Sequence, residues 1–347
     1  MDKKLGAFIV PTGIGASIGG YAGDASFWAR KFASKSKLIV NPNVVNAGCF
    51  SGITETMFYV EGYSLDEFFK GNLSLIQSSG LNKIGVILDK TISQGIKNVH
   101  INTINAVKTI YGCNIIGYDI TDDEVGVEFS IDKSGISTGS VKNIETVLKS
   151  GQRLLDKGAQ ALAIVCRFEE DDFDDYANGI GVDPVGGVEA IISHCVSKTL
   201  KVPCAHSPAF EEIIITQEIV DERCSAEYIT PTYLPCILLG LSQAPLLDFE
   251  NKGLSIKDLD YLIMPANALG SIPVFEALKN NIPVYAVKEN CTVLDITKDK
   301  IDERIILVDT YQELFEIVSK KCWKNKGEAF GFALIFIYYW TMPIQYL

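Results

Sequence analysis

Short runs of aliphatic and β-branched residues recur along this chain with helical patterns between them, and this alternation limits the fold more than any other feature. Residues 5–10, 37–40, 57–60, 84–88 and 114–118 read as strands in the first part. Asp24 is placed to N-cap the stretch AlaSerPheTrpAlaArgLysPhe, and Ser64 to cap residues 65–69 with Glu67 three positions on. Residues 94–111 are long enough for several helical turns. Strands joined through crossover helices pair in parallel, so the rhythm predicts an α/β protein with mostly parallel, Rossmann-like sheets and flanking helices.

The rhythm breaks once. Residues 124–138, with VGVEFSI followed by SGIST, read as a hairpin or an exposed connection and mark a boundary. Beyond it come a helix at 143–157, an apolar strand at 159–166, a helix at 185–200 and a strand at 202–205. An apolar helix at 234–241, strands at 261–264 and 284–287, and helices at 273–280 and 311–321 complete the series. A chain of 347 residues exceeds what one core usually serves. Two α/β subdomains are therefore expected, 1–140 with a glycine-rich turn and 141–330, followed by an apolar tail at 331–347. The tail is shorter than the ~20 residues a spanning helix needs, and Pro343 interrupts it. A buried terminal element is favoured over a tail anchor or an altered reading frame.

Charge narrows the partners. With 31 basic and 43 acidic side chains the formal charge is −12, which repels a nucleic-acid backbone and an anionic leaflet alike. Nucleic acid and membrane are thus not expected as partners, while a homo-oligomer stays open. Nine cysteines lie singly, with no CxxC pair, as suits a reducing compartment. The apolar run at 5–10 leads straight into turn residues and reads as a strand rather than a signal peptide, so a cytoplasmic location is expected.

Three segments could carry chemistry. PTGIGASIGGYAGDA, residues 11–25, places Thr12, Gly13, Gly15, Gly19 and Gly20 between a strand and a helix, where backbone N–H groups and a helix N-terminus favour a phosphate or carboxylate. Its spacing matches neither the dinucleotide fingerprint nor a P-loop, and the chain carries no strong metal or nucleotide signature. In residues 41–68, Asn41, Asn43 and Asn46 follow one strand and Glu61 another; Glu61 is a carboxylate suited to proton transfer, or equally a cap for the residues after it. In residues 179–209, Asp183, Cys204 and His206 are expected on one rim, with His206 and Cys204 as an acid, base or nucleophile and His194 late on a helix. Arg167 and the pair Glu289–Asn290 each follow a strand and could hold an anion. Cys236 reads as core, and His100 has no supporting context.

The phrases PTGIGASIGGYAGDA, NPNVVNA, YVEGYSLDEF, GVDPVGGVEAIISH, PCAHSPA, LPCILLGLSQAP and VKENCT, in this order, resemble an uncharacterised family of bacterial and plastid proteins, domain of unknown function 3326. The resemblance spans roughly residues 6–320. It brings no settled activity with it. It implies a frequent histidine where this chain has Asn41, which argues against Asn41 as an indispensable ligand, and the tail from about Gly331 departs from it.

These features lead us to expect an enzyme acting on a small carboxylated or phosphorylated metabolite, of hydrolase or lyase type. His206, Cys204, Glu61 and Asp183 would do acid–base chemistry. A ligand-binding or regulatory protein without turnover, or a nicotinamide-dependent oxidoreductase, are the alternatives.

Overall fold

A computed structural model describes residues 4–324 apart from 79, 169–175 and 214, so the apolar tail and the acidic run after Phe168 lie outside the described residues. The chain opens with three strands, β1 (Leu5–Phe8), β2 (Lys37–Val40) and β3 (Met57–Tyr59). Its middle supplies β4 (Ile84–Leu88), β5 (Ile115–Ile120), β6 (Val127–Ile131), β7 (Ser137–Val141), β8 (Ala161–Arg167) and β9 (Cys204–Ala209). The last third returns with β10 (Leu259–Pro265), β11 (Val284–Val287) and β12 (Ile306–Val308).

Two parallel sheets result. The first has six strands in the order β12-β11-β10-β1-β2-β3, and the second has four, β9-β8-β4-β5. In chain order the first sheet runs third, second, first, fourth, fifth, sixth, the doubly wound arrangement whose switch point falls between β1 and β10. The excursion between its third and fourth strands carries the entire second sheet. The division expected near residue 140 therefore does not separate the sheets, because one sheet takes strands from both ends of the chain. The break in rhythm is real, however: β6 and β7 form an antiparallel hairpin pairing Val127 with Val141 and Ile131 with Ser137.

Burial explains these choices. All five residues of β4 and the first six of β8 are buried, as unbroken aliphatic runs in a parallel sheet covered on both faces must be. The main helices are α1 (Ser26–Ala33), α2 (Gly62–Phe69), α3 (Gln94–Tyr111), α4 (Ile144–Asp156), α5 (Gly186–Leu200), α6 (Leu234–Ser242) and α7 (Ile272–Lys279). Helix α6 is apolar nearly all round, and such a helix belongs inside. Its Leu234, Ile237 and Leu241 join Phe8 and Val40 of the first sheet to Val86 and Ala163 of the second in one continuous core. The outer faces of the two sheets are sealed by separate clusters, one around Phe68, Leu262 and Val284, the other around Leu162, Ile164 and Val188.

Two local expectations are corrected. Asp24 does not cap α1, whose N-cap is Ala25 with no side-chain bond; its Oδ1 turns back and accepts from Gly19 N at 2.6 Å. The strand expected at 202–205 runs instead from Cys204 to Ala209 and carries His206 in its middle, registered opposite Ile164 of β8.

Candidate active site

The carboxyl ends of strands from both sheets open on one cleft of about 1230 Å³, the place where open parallel sheets bind ligands. Thr12 follows β1, Asn43 follows β2, Glu61 follows β3, and Pro208 and Ala209 end β9; all line the cleft. Distant segments meet here. Ser137 N donates to Gly13 O at 2.9 Å, and Tyr21 Oη donates to Gly181 O at 3.4 Å. At Gly187, near the start of α5, any Cβ would collide with the Ser137 carbonyl, so only glycine lets the hairpin close against this helix.

His206 is the best-placed proton carrier. Its Nδ1 forms a short hydrogen bond with Ser193 Oγ on α5, and its Nε2 lies 3.2 Å from Glu189 Oε2, one helical turn earlier. Ser193 Oγ itself donates to the Glu189 carbonyl at 2.9 Å. The serine has a single hydrogen, so Nδ1–H must donate to the serine oxygen, a tautomer assigned from the network. Nε2 and a bare carboxylate oxygen at this distance would both be acceptors. A proton on Nε2 would turn this contact into a charged pair. The carboxylate is only 8% exposed and its Oε1 has no hydrogen-bond partner among the described residues.

More carboxyl groups surround this pair. Asp183 Oδ1 accepts from Val185 N and Gly186 N at 3.1 Å, while burial, and then the neighbouring Glu189 charge, push its carboxyl up to about 6. Burial pushes Glu227 up to about 8, with the Asp183 charge adding to it; its Oε1 lies 3.3 Å from Tyr176 Oη. Glu61 accepts from Tyr63 N at 2.8 Å and Ser64 N at 2.7 Å, which makes it, rather than Ser64, the cap of α2. Burial raises its carboxyl, and His194 Nε2 stands 3.9 Å away with its own imidazole held below the usual range by desolvation. His100 also lines the cleft: Nδ1 bonds Ile96 O at 2.8 Å, which leaves the buried Nε2 without a partner among the described residues.

The glycine turn reaches the cleft through Thr12 and Gly20, but it is bound mostly to the protein itself. Gly19 N donates to Asp24, Ile18 N to Asn290 Oδ1 at 3.0 Å, and Ser17 N to Cys291 O at 2.7 Å. Asn43 Nδ2 holds Gly19 O at 2.5 Å, and Asn41 bonds both N and O of Val10. Asn290 and Glu289 act from behind the turn: Asn290 Nδ2 donates to Ile18 O and Tyr311 Oη at 2.7 Å, and Glu289 Oε1 accepts from Tyr311 N at 2.6 Å. Gly13 and Gly15 shape the turn with φ of 72° and 57° and lie outside the lining.

Two further candidates stand apart from the cleft. Cys204 is buried under its wall, with Sγ 3.0 Å from Ser193 O and 3.1 Å from Ser197 Oγ, and burial raises its thiol well above the usual range. A protonated, inaccessible thiol is no nucleophile. Arg167 pairs with Glu211 at 2.6 Å. Asn46 lines the cleft but accepts from Tyr59 Oη at 3.1 Å. Sequence reasoning did not single out Glu189, Ser193, Glu227, Tyr176 or His100. Glu189 and Ser193 were legible in principle, since an i, i+4 pair shares one helix face. Among the described residues, no group of three or more His, Cys, Asp or Glu side chains is arranged to hold a metal ion, and no helix is long and apolar enough to cross a membrane.

Residues 6–323 match the family described as protein of unknown function DUF3326. The chain belongs to that family. It is also 37% identical over 297 residues to an uncharacterised lipoprotein of a Synechococcus strain, covering 83% of this chain and 82% of that protein. No solved structure matches it.

Proposed function

We propose that this member of the DUF3326 family is an enzyme of hydrolase or lyase type that moves a proton on a small ligand in the cleft, with His206 as the acid–base group. One observation carries the reading: a histidine at the cleft wall is held at Nδ1 by Ser193 and has the Glu189 carboxylate 3.2 Å from its Nε2. Positioning an imidazole this way fixes its tautomer and supplies a second seat for the transferred proton. Glu189 in this reading is a positioning residue and proton partner. Asp183, pushed up to about 6 by burial, can hold or release a proton near neutrality in the same cleft. The buried Cys204 thiol takes no part as a nucleophile, and Glu61 caps its helix at the cleft wall.

The reading is tested by offering the protein p-nitrophenyl esters, p-nitrophenyl glycosides and p-nitroanilides for hydrolysis, and 2-hydroxy and 2-amino acids for elimination. A turned-over compound should lose about 10²- to 10⁴-fold in rate with His206→Asn while its affinity holds. Turnover untouched by the substitution contradicts the reading. Affinity lost in step with rate would favour a binding protein without turnover.

A further inference from the structure

The ionisable side chains lining the cleft are one-sided. Among the described residues, the lining's carboxyl, imidazole, ammonium and guanidinium side chains comprise six carboxyl groups and the chain's three histidines, and no lysine or arginine. Asp183 feels the charge of Glu189, and Glu227 that of Asp183. Glu61 and Asp183 have backbone partners, and Glu227 has Tyr176. Glu189 is more than nine-tenths buried, lines the cleft, and presents Oε1 with no partner among the described residues. A buried carboxylate oxygen without a donor is costly, and a donor arriving with the ligand removes that cost.

The surrounding surface points the same way. Tyr21, Tyr176 and Tyr233 line the cleft, and aromatic faces attract cations. Tyr21 already does so: the Arg223 guanidinium lies 4.7 Å from its ring centroid. The rival expectation, an anion on the glycine turn, meets amides that Asp24, Asn290 and the Cys291 carbonyl already occupy.

We infer that the cleft takes a small ligand bearing a protonated amine, whose ammonium group is received by the Glu189 carboxylate among the Asp183 and Glu227 carboxyls and the tyrosine rings. This rests on the proposed acid–base site and adds its substrate class: an amine-bearing compound presented to His206.

The test uses three probes of matched size and different charge, phenethylammonium, 2-phenylethanol and phenylacetate, titrated into the full chain by NMR or calorimetry at neutral pH. Phenethylammonium should bind at least tenfold more tightly than the alcohol, and phenylacetate more weakly than either. Glu189→Gln should remove most of that preference. Tighter binding of phenylacetate, an absence of charge preference, or no binding of any probe overturns the inference. Should the variant not fold, the wild-type series decides alone. Repeating the series with His206→Asn separates the two readings: a retained amine preference without any effect of that substitution on turnover removes the acid–base role but not the ligand class.

Discussion

Replacing Cys204 by alanine removes a thiol that touches Ser193 O and Ser197 Oγ beneath the cleft wall and faces no ligand. Stability should fall by about 1–3 kcal/mol, read as a lower denaturant midpoint, and turnover should persist. Loss of turnover at unchanged stability would restore the nucleophile. Glu227 gives a pH signature. A carboxyl pushed up to about 8 in the fold, against about 4.3 unfolded, keeps its proton longer in the native state. The native state therefore binds more protons between those values, and this group's contribution to stability is full at low pH and lost as pH rises towards 8. Glu227→Gln should flatten the fall in melting temperature between about pH 5 and about pH 8. Desolvated His100 and His194 act oppositely, losing stability as pH falls through the ordinary imidazole range, and the substitution leaves them in place. A slope unchanged by Glu227→Gln contradicts the assignment.

Among the elements, α2 depends on a cap the sequence offered in two versions. Glu61 and Ser64 were both available, and the glutamate takes the role because its two oxygens reach Tyr63 N and Ser64 N together. Glu61→Ala should cost about 0.5–2 kcal/mol in denaturant unfolding, with Glu61→Gln losing less. An alanine variant as stable as wild type would argue that the side chain serves ligand chemistry alone. Helix α6 is a sterner case. Leu238 is fully buried in the core shared by both sheets, so Leu238→Ala should cost about 2–5 kcal/mol and lower a single unfolding transition rather than split it. Two separated transitions would mean the sheets fold independently.

The order of elements was legible because apolar runs such as 84–88 and 161–167 are buried on both faces and cannot hide their character. Pairing was not. Nothing local in residues 259–308 says that their strands return to β1 across an excursion of some two hundred residues, since parallel pairing is decided by the tertiary crossover. The site was partly legible for the same reason. His206, His194, Asp183, Glu61 and Thr12 line the cleft, and segments 11–25 and 179–209 do face each other there. Glu289, Asn290 and Arg167 follow strands as well, yet they brace the turn or pair at the surface, because being at a strand end does not fix where a side chain points. Glu189 was hidden by its place on a helix, and only the packing of α5 against β9 sets it against His206.

Whether His206 and Glu189 share a proton is read directly by NMR of protein labelled with nitrogen-15 in its three histidines. The account predicts that His206 Nδ1 carries a proton bonded to an oxygen, and that Nε2 shows a strongly hydrogen-bonded resonance that collapses in Glu189→Gln. A neutral imidazole whose Nε2 is bare, with a spectrum indifferent to Glu189, would contradict it.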